Sequence, residues 1–248
     1  RSAASAAAAA ARGMSASLVS GARYSGEWRG DMQEGWGVQA WPDGAKYEGA
    51  WRAGVAHGSG RFAHSNGDIY CGQWKDGKAA GSGEFRHADG TMYRGHWKSD
   101  EQHGFGREVW PDGSCYEGSY VQHMKHGPGH LVWLDGSHYE GNFVEDMYHG
   151  HGEFQWSDGR AYAGQWRRNA MEGKGVFRWP DGRMYTGGYS SGQKHGAGHF
   201  RLLDGTLLDA RHSHGVLMDG LELLASAAGD WNEGRVTASP RYFRGCAM

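Results

Sequence analysis

Three sets of residues have the types and spacing of working chemistry. Gly72-x-x-x-x-Gly77-Lys78-Ala79 has the glycine and lysine intervals of a loop that cradles phosphate, with Ala79 where a Ser or Thr would hold Mg²⁺. Gly188-Tyr189-Ser190-Ser191-Gly192 has the form of a nucleophile elbow, and Asp204 and His212 follow in the chain order of an acyl hydrolase. Fifteen histidines invite a metal reading. His57, His103, His126, His149 and His195 share one register, and His149/His151 and His212/His214 form close pairs. A phosphate loop and a nucleophile elbow each need a strand followed by a helix. A shared zinc needs every ligand about 2 Å from the ion. The elements that carry these residues therefore decide what they do.

Those elements repeat. Tyr24, Tyr47, Tyr70, Tyr93, Tyr116, Tyr139, Tyr162 and Tyr185 stand 23 residues apart. With Tyr as position zero, plus two is Gly26, Gly49, Gly72, Gly95, Gly118, Gly141, Gly164 and Gly187. Plus four is Trp28, Trp51, Trp74, Trp97, Tyr120, Phe143, Trp166 and Tyr189. Plus eleven and plus thirteen are always Gly, plus seventeen is Trp in five copies, and plus nineteen and twenty read Asp-Gly except at Asn66-Gly67. Tyr-x-Gly-x-Trp has a period of two, which is strand spacing with Tyr, Gly and Trp on one face. Gly-x-Gly-x-Phe-x-Trp keeps that spacing, so each repeat is two half-buried strands and no segment here carries a helical period. Plus seven (Asp31, Gly54, Gly77, Asp100, His123, Asp146, Asn169, Gly192) is rich in residues that tolerate positive φ and marks the hairpin turn. Asp-Gly marks a tight turn into the next repeat. Glycine on the aromatic face leaves room for a neighbouring strand's ring to lie over its backbone.

This organisation removes the candidate chemistry. The two glycines of the phosphate-loop match are the plus-two and plus-seven columns, and the serine motif lies at the end of a hairpin strand. The histidine column recurs once per two strands, about 10 Å apart, too far for one ion. No enzyme activity, cofactor or resident metal is expected from these residues.

The pattern Tyr-x-Gly-x-Trp-x-x-(Gly/Asp)-x-x-x-Gly-x-Gly, followed by Asp-Gly, resembles the MORN repeat (membrane occupation and recognition nexus) over residues 24–206, about three quarters of the chain. The resemblance implies an all-β fold, an elongated single-layer antiparallel sheet of eight tandem hairpins, in agreement with the columns. Eight hairpins would extend on the order of 75–80 Å. The functions it implies are diverse. They include cytoskeletal and axonemal scaffolds, membrane-junction proteins, and accessory domains beside methyltransferases or lipid kinases such as a phosphatidylinositol phosphate kinase.

Outside the repeats, residues 1–21 read as an Ala/Ser-rich arm, disordered or a short helix, too weakly apolar to span a bilayer. After the repeats of 22–206 the pattern decays, and residues 207–225 read as a degenerate hairpin that caps the array or pairs edge to edge in a homodimer. Residues 226–248 read as a tail. Cys71 and Cys115 are nearly two repeats apart, beyond disulfide reach. With an odd cysteine count of three, this favours an intracellular setting, cytoplasmic or cytoskeleton-associated, with peripheral membrane attachment as a variant.

A net charge of −2 argues against nucleic acid, which demands a basic surface. Two surfaces remain as candidates. The plus-five column (Arg29, Arg52, Lys75, Lys98, and Arg167 further along) forms a polar-face stripe for an acidic protein or anionic phospholipid. Each such cation near a negative membrane contributes on the order of 1 kcal/mol, so the stripe alone gives weak, salt-sensitive adsorption. The aromatic face would take an amphipathic segment wherever its rings are not consumed in packing. The reading is a non-enzymatic scaffold that docks proteins, with a lipid-docking module and an accessory domain of a larger enzyme as the alternatives.

Overall fold

The computed structural model describes residues 14–18 and 20–219. The chain is all-β, with nineteen strands in one open antiparallel sheet and no helix among the described residues. The strands group into two compact units. One runs to Asp112 and includes Tyr120–His123; the other takes Gly113–Ser119 and resumes at Met124. The first holds β1 (Met14–Ser17), β2 (Arg23–Arg29), β3 (Met32–Ala40), β4 (Lys46–Arg52), β5 (Val55–Ala63), β6 (Ile69–Lys75), β7 (Lys78–Arg86), β8 (Met92–Lys98) and β9 (Glu101–Val109). β10 is Cys115–Val121. The second unit holds β11 (Met124–Val132), β12 (His138–Val144), β13 (Met147–Gln155), β14 (Ala161–Arg167), β15 (Ala170–Arg178), β16 (Met184–Ser190), β17 (Gln193–Arg201), β18 (Leu207–Ser213) and β19 (Val216–Asp219). Within each unit, strands consecutive in sequence pair as a meander.

The third repeat shows why the columns are what they are. In β6, Tyr70 and Trp74 are buried while Cys71, Gln73 and Lys75 are exposed, the alternation of a half-buried strand. β6 pairs with β7 as Gly72↔Gly83, Gln73↔Ala80 and Trp74↔Ala79, so Gly81 and Ser82 are two extra residues on β7. Such a bulge breaks the ladder and leaves backbone groups to be paired some other way. Tyr70 does half of this, its hydroxyl donating to the Gln73 carbonyl at 2.9 Å. The Gln73 side chain does the other half, its Oε1 accepting from the Ser82 N–H at 2.9 Å. The plus-eleven glycine sits at the bulge with positive φ (65° at Gly81), which a side chain would strain.

Glycine at plus two and plus thirteen serves packing. Gly72 and Gly83 face one another across the pair, and the Tyr70 ring of the same repeat lies over both. A Cβ on Gly83 would stand 2.6 Å from Tyr70 Cε2 and Cζ. The ring over a plus-two glycine is therefore its own strand's tyrosine, where the sequence suggested a neighbour's.

The two turns also differ from the sequence reading. From the second repeat on, the hairpin turn takes positive φ at plus six as well as plus seven, as in Asp76 and Gly77 (52° and 80°) or Arg168 and Asn169 (50° and 67°). Two consecutive residues of this kind make a type I′ loop, whose twist suits a hairpin. The plus-seven residue also ties its hairpin to the one before. The Gly77 N–H donates to the Ala56 carbonyl at 2.9 Å, and Asp100, Asp146 and Asn169 accept from the N–H groups of Ala79, Lys125 and Tyr148 at 2.7–2.8 Å. Asp-Gly, expected as the tight turn into the next repeat, closes a loop in which only Gly has positive φ. The Gly90 N–H donates to the His87 carbonyl, and Asp89 Oδ1 accepts from the Thr91 N–H at 2.8 Å. That bond holds the Asp89 carboxyl below its ordinary pKa.

The ends depart from expectation as well. Met14–Ser17, assigned to a disordered or helical arm, is a strand paired with β2, because the open edge of β2 offers hydrogen bonds that local sequence does not reveal. Of the degenerate hairpin, β18 and β19 are formed and pair through Ser213↔Val216. Residues 220–225 of that hairpin, the tail at 226–248 and the first thirteen residues lie outside the described part.

Candidate docking surface

The predicted packing residues come together as ladders of rings. In the first unit Trp28, Tyr24, Trp51, Tyr47, Trp74, Tyr70, Trp97, Tyr93 and Tyr120 alternate, with each centroid 5.0–5.2 Å from the next and rings near perpendicular. In the second unit Tyr116, Phe143, Tyr139, Trp166, Tyr162, Tyr189, Tyr185 and His212 continue the pattern at 5.1–5.7 Å. Edge-to-face pairs of this kind contribute roughly 0.5–1.5 kcal/mol beyond burial. The plus-four indole also latches onto the previous repeat. Trp51, Trp74, Trp97 and Trp166 donate through Nε1 to the carbonyls of Gly37, Gly60, Gly83 and Gly152 at 3.1–3.2 Å.

All eight tyrosines are 0–1 % exposed. Burial pushes the Tyr24 hydroxyl up to about 12, with Glu27 adding to the rise, and the hydroxyls of Tyr47, Tyr70, Tyr93 and Tyr139 are raised for the same chief reason. They stay neutral donors to the carbonyls at the bulges. The tyrosines are therefore spent on joining repeats, while Trp41, Trp110, Trp133 and Trp156 on the same face are half-buried.

The plus-five cations have the opposite character. Arg29, Arg52, Lys75, Lys98 and Arg167 are exposed. Among the described residues, none of the five takes part in an ion pair, whereas Lys46, Arg86, Lys125, Arg160, Arg178 and Arg183 all do. Each closes a strand at the turn and faces the plus-eight residue across the pair: Arg29↔Met32, Arg52↔Val55, Lys75↔Lys78, Lys98↔Glu101 and Arg167↔Ala170. Met32 and Val55 are themselves 55 % and 41 % exposed, so the rim of the first unit combines free cations with apolar side chains. Sequence reasoning found the cations and missed Met32 and Val55; their pairing across a two-residue loop was the available signal. The rim is not uniformly basic. Asp31 and Asp76 lie at the same turns, Asp76 3.8 Å from His57, and Asp100 is tied to the Ala79 N–H.

The other candidates fall on scaffold. Gly72 to Ala79 spans β6, a turn and the start of β7. Gly188 to Ser190 ends β16, Ser191 and Gly192 form its turn, and β17 follows where an elbow requires a helix. The plus-ten histidines sit beside the next repeat's turn, as His57 does beside Asp76 and His195 beside the His214 N–H. Cys71 and Cys115 are free thiols. Among the described residues, no group of three or more His, Cys, Asp or Glu is placed to hold a metal ion, and no helix is long and apolar enough to cross a membrane.

The family model for the MORN repeat matches residues 24–46, 47–69, 70–92, 93–115, 116–138, 139–159, 162–182 and 185–207. Among solved structures, the chain is similar to the wild-type TCP10 domain of Danio rerio CPAP, at 12 % identity and a TM-score of 0.46, over 84 % of this chain and 99 % of that one. It is also similar to the SAS-4 (dCPAP) TCP domain of Drosophila melanogaster, solved with a proline-rich motif of Ana2, at 14 % identity and a TM-score of 0.39, over 72 % of this chain and 90 % of that one. No curated protein matches the chain.

Proposed function

The chain belongs to the MORN repeat family, and we propose that it acts as a non-enzymatic scaffold that docks other proteins along its repeats. The observation that carries this reading is the division of labour between columns. The rings and glycines are consumed in joining neighbours, while the plus-five cations recur at the same turn position, exposed and without ion pairs among the described residues. A repeated unit with one invariant inner face and a free outer rim suits a binding surface better than a catalytic pocket. An intracellular, cytoskeleton-associated setting fits such a role. Affinity purification of the intact protein, with mass-spectrometric quantification, tests it: at least one protein should be recovered in stoichiometric amount, and recovery of none contradicts the reading.

A second reading, adsorption to an anionic membrane, has one observation in its favour. Met32 and Val55 beside Arg29 and Arg52 supply the apolar signal that cations alone lack. Sedimentation with phosphatidylserine vesicles across a salt series separates the two. Binding that persists after Arg29, Arg52, Lys75 and Lys98 are changed to Glu excludes this membrane mode.

A further inference from the structure

We infer that the turn rim of the first unit receives an α-helix carrying an acidic residue once per heptad, with apolar residues between the acids. The inference rests on the docking role proposed above and names its partner class. Three observations lead to it. Arg29, Arg52, Lys75 and Lys98 are exposed, make no ion pair among the described residues, and recur every second strand. Strands lie about 4.8 Å apart, which puts successive cations roughly 9.6 Å apart along the rim. Met32 and Val55, each paired across the loop with a cation, expose apolar surface at the same interval.

Seven residues of α-helix advance about 10.5 Å, so acids at i, i+7, i+14 and i+21 keep step with the four cations. The mismatch is about 1 Å per repeat, within the reach of long Arg and Lys side chains. On the same helical face, positions i+3 and i+4 fall between the acids and meet Met32 and Val55. A polyproline helix also advances about 9.3 Å in three residues, but its three-fold symmetry turns the intervening residues away. An extended strand shows its i and i+2 side chains on one face about 6.7 Å apart, which is out of step. A flat anionic membrane matches the rim less well, because Asp31 and Asp76 lie at the same turns and would meet it together with the cations. Spaced acids on a helix meet the cations singly.

The test uses the full chain and a fluorescent four-heptad helical peptide with Glu at each first heptad position and Leu at the fourth and fifth. Its control is the same composition with Glu moved to a three-residue phase. The heptad peptide should bind at low salt, weaken as salt rises, and bind at least about tenfold better than the control. Changing Arg29, Arg52, Lys75 and Lys98 together to Glu should remove that binding with circular dichroism and melting temperature unchanged. The rim is exposed and outside the ring ladders, so the fold survives the change. Equal binding of both peptides, or binding that survives charge reversal, overturns the inference. So does capture by phosphatidylserine vesicles without capture of the peptide, which assigns the rim to membrane. If the charge-reversed protein still recovers the wild-type set of stoichiometric proteins from cells, the helix inference fails while the scaffold reading stands. If the wild type recovers none, the scaffold reading fails first.

Discussion

Gly83→Ala is a substitution whose sign depends on the Tyr70 ring that lies over Gly83. By backbone propensity alone, replacing a strand glycine with alanine stabilises by roughly 0.5–1 kcal/mol. In this protein the added Cβ would stand 2.6 Å from Tyr70 Cε2 and Cζ, about 1 Å inside normal carbon contact. The ring cannot swing aside. It is held edge to face by Trp74 at 5.1 Å and Trp97 at 5.2 Å, and its hydroxyl is anchored on the Gln73 carbonyl at 2.9 Å. Overpacking a fixed neighbour costs about 1–3 kcal/mol, and expelling the ring costs about 3–5 kcal/mol. The net expectation is a loss of about 2–3 kcal/mol, read as a lower urea midpoint by circular dichroism. Gly136→Ala is the control, because no atom lies within 4 Å of its added Cβ and only its φ of 84° penalises the change, by about 1–2 kcal/mol. Tyr70→Ala completes a double-mutant cycle: with the ring gone, Gly83→Ala should cost little, so the two losses must fall well short of additive. A Gly83→Ala protein as stable as the parent, or strict additivity with Tyr70→Ala, would mean that the Tyr70 ring is not what excludes a side chain at Gly83.

Three further outcomes follow from the same contacts. Tyr70→Phe keeps the ring and deletes the bond to the Gln73 carbonyl, so it should cost about 1 kcal/mol in the same urea titration, less than Gly83→Ala. Asp146→Ala should cost about 1–2 kcal/mol and Asp146→Gly less, because both lose the acceptor for the Lys125 N–H but only Ala is strained at a φ of 65°. His212 stands in the ladder where other repeats carry an aromatic ring, and burial together with Lys194 pushes its pKa from 6.5 down to about 4. Its charged form is disfavoured in the fold, so the unfolded chain binds the extra proton first. Stability should therefore fall by about 2 kcal/mol as pH drops from about 6.5 to about 4, solvent screening trimming the roughly 3 kcal/mol that the full shift carries. Melting curves over that range check it, and His212→Trp should flatten the slope.

Much of the architecture was legible because a repeat exposes its columns. Eight copies of Tyr-x-Gly-x-Trp fixed the strand, its inner face and the period, and Asp-Gly marked where each repeat hands over. What stayed hidden depends on register between strands. Gly81 looks like Gly83 in the sequence, yet one needs positive φ at a bulge and the other must clear a ring. Plus six reads as Gly30, Ala53, Asp76, Ser99, Gln122, Glu145, Arg168 and Ser191, a column with no consistent turn signature after its first member, and each has positive φ because the two-residue loop demands it. The preference for Asp and Asn at plus seven was visible; that their side chains cap the preceding hairpin was not, since the partner lies 21 residues back. At the rim, the cations were named from spacing alone, but only the fold shows that they make no ion pair among the described residues and that Arg29 and Arg52 stand beside Met32 and Val55.

One 23-residue unit, joined to its neighbours by ring and glycine, makes the fold. Excising residues 47–69 puts this to the test. Removing that whole period should bring Trp74 against Tyr24 and its Nε1 to the Gly37 carbonyl, reproducing the contacts Trp51 makes now. The shortened protein should keep its circular dichroism and unfold cooperatively in urea, while excision of residues 47–58 alone, half a period, should disrupt the first unit. If removing the full period is as damaging as removing half of it, the fold is not built from interchangeable units.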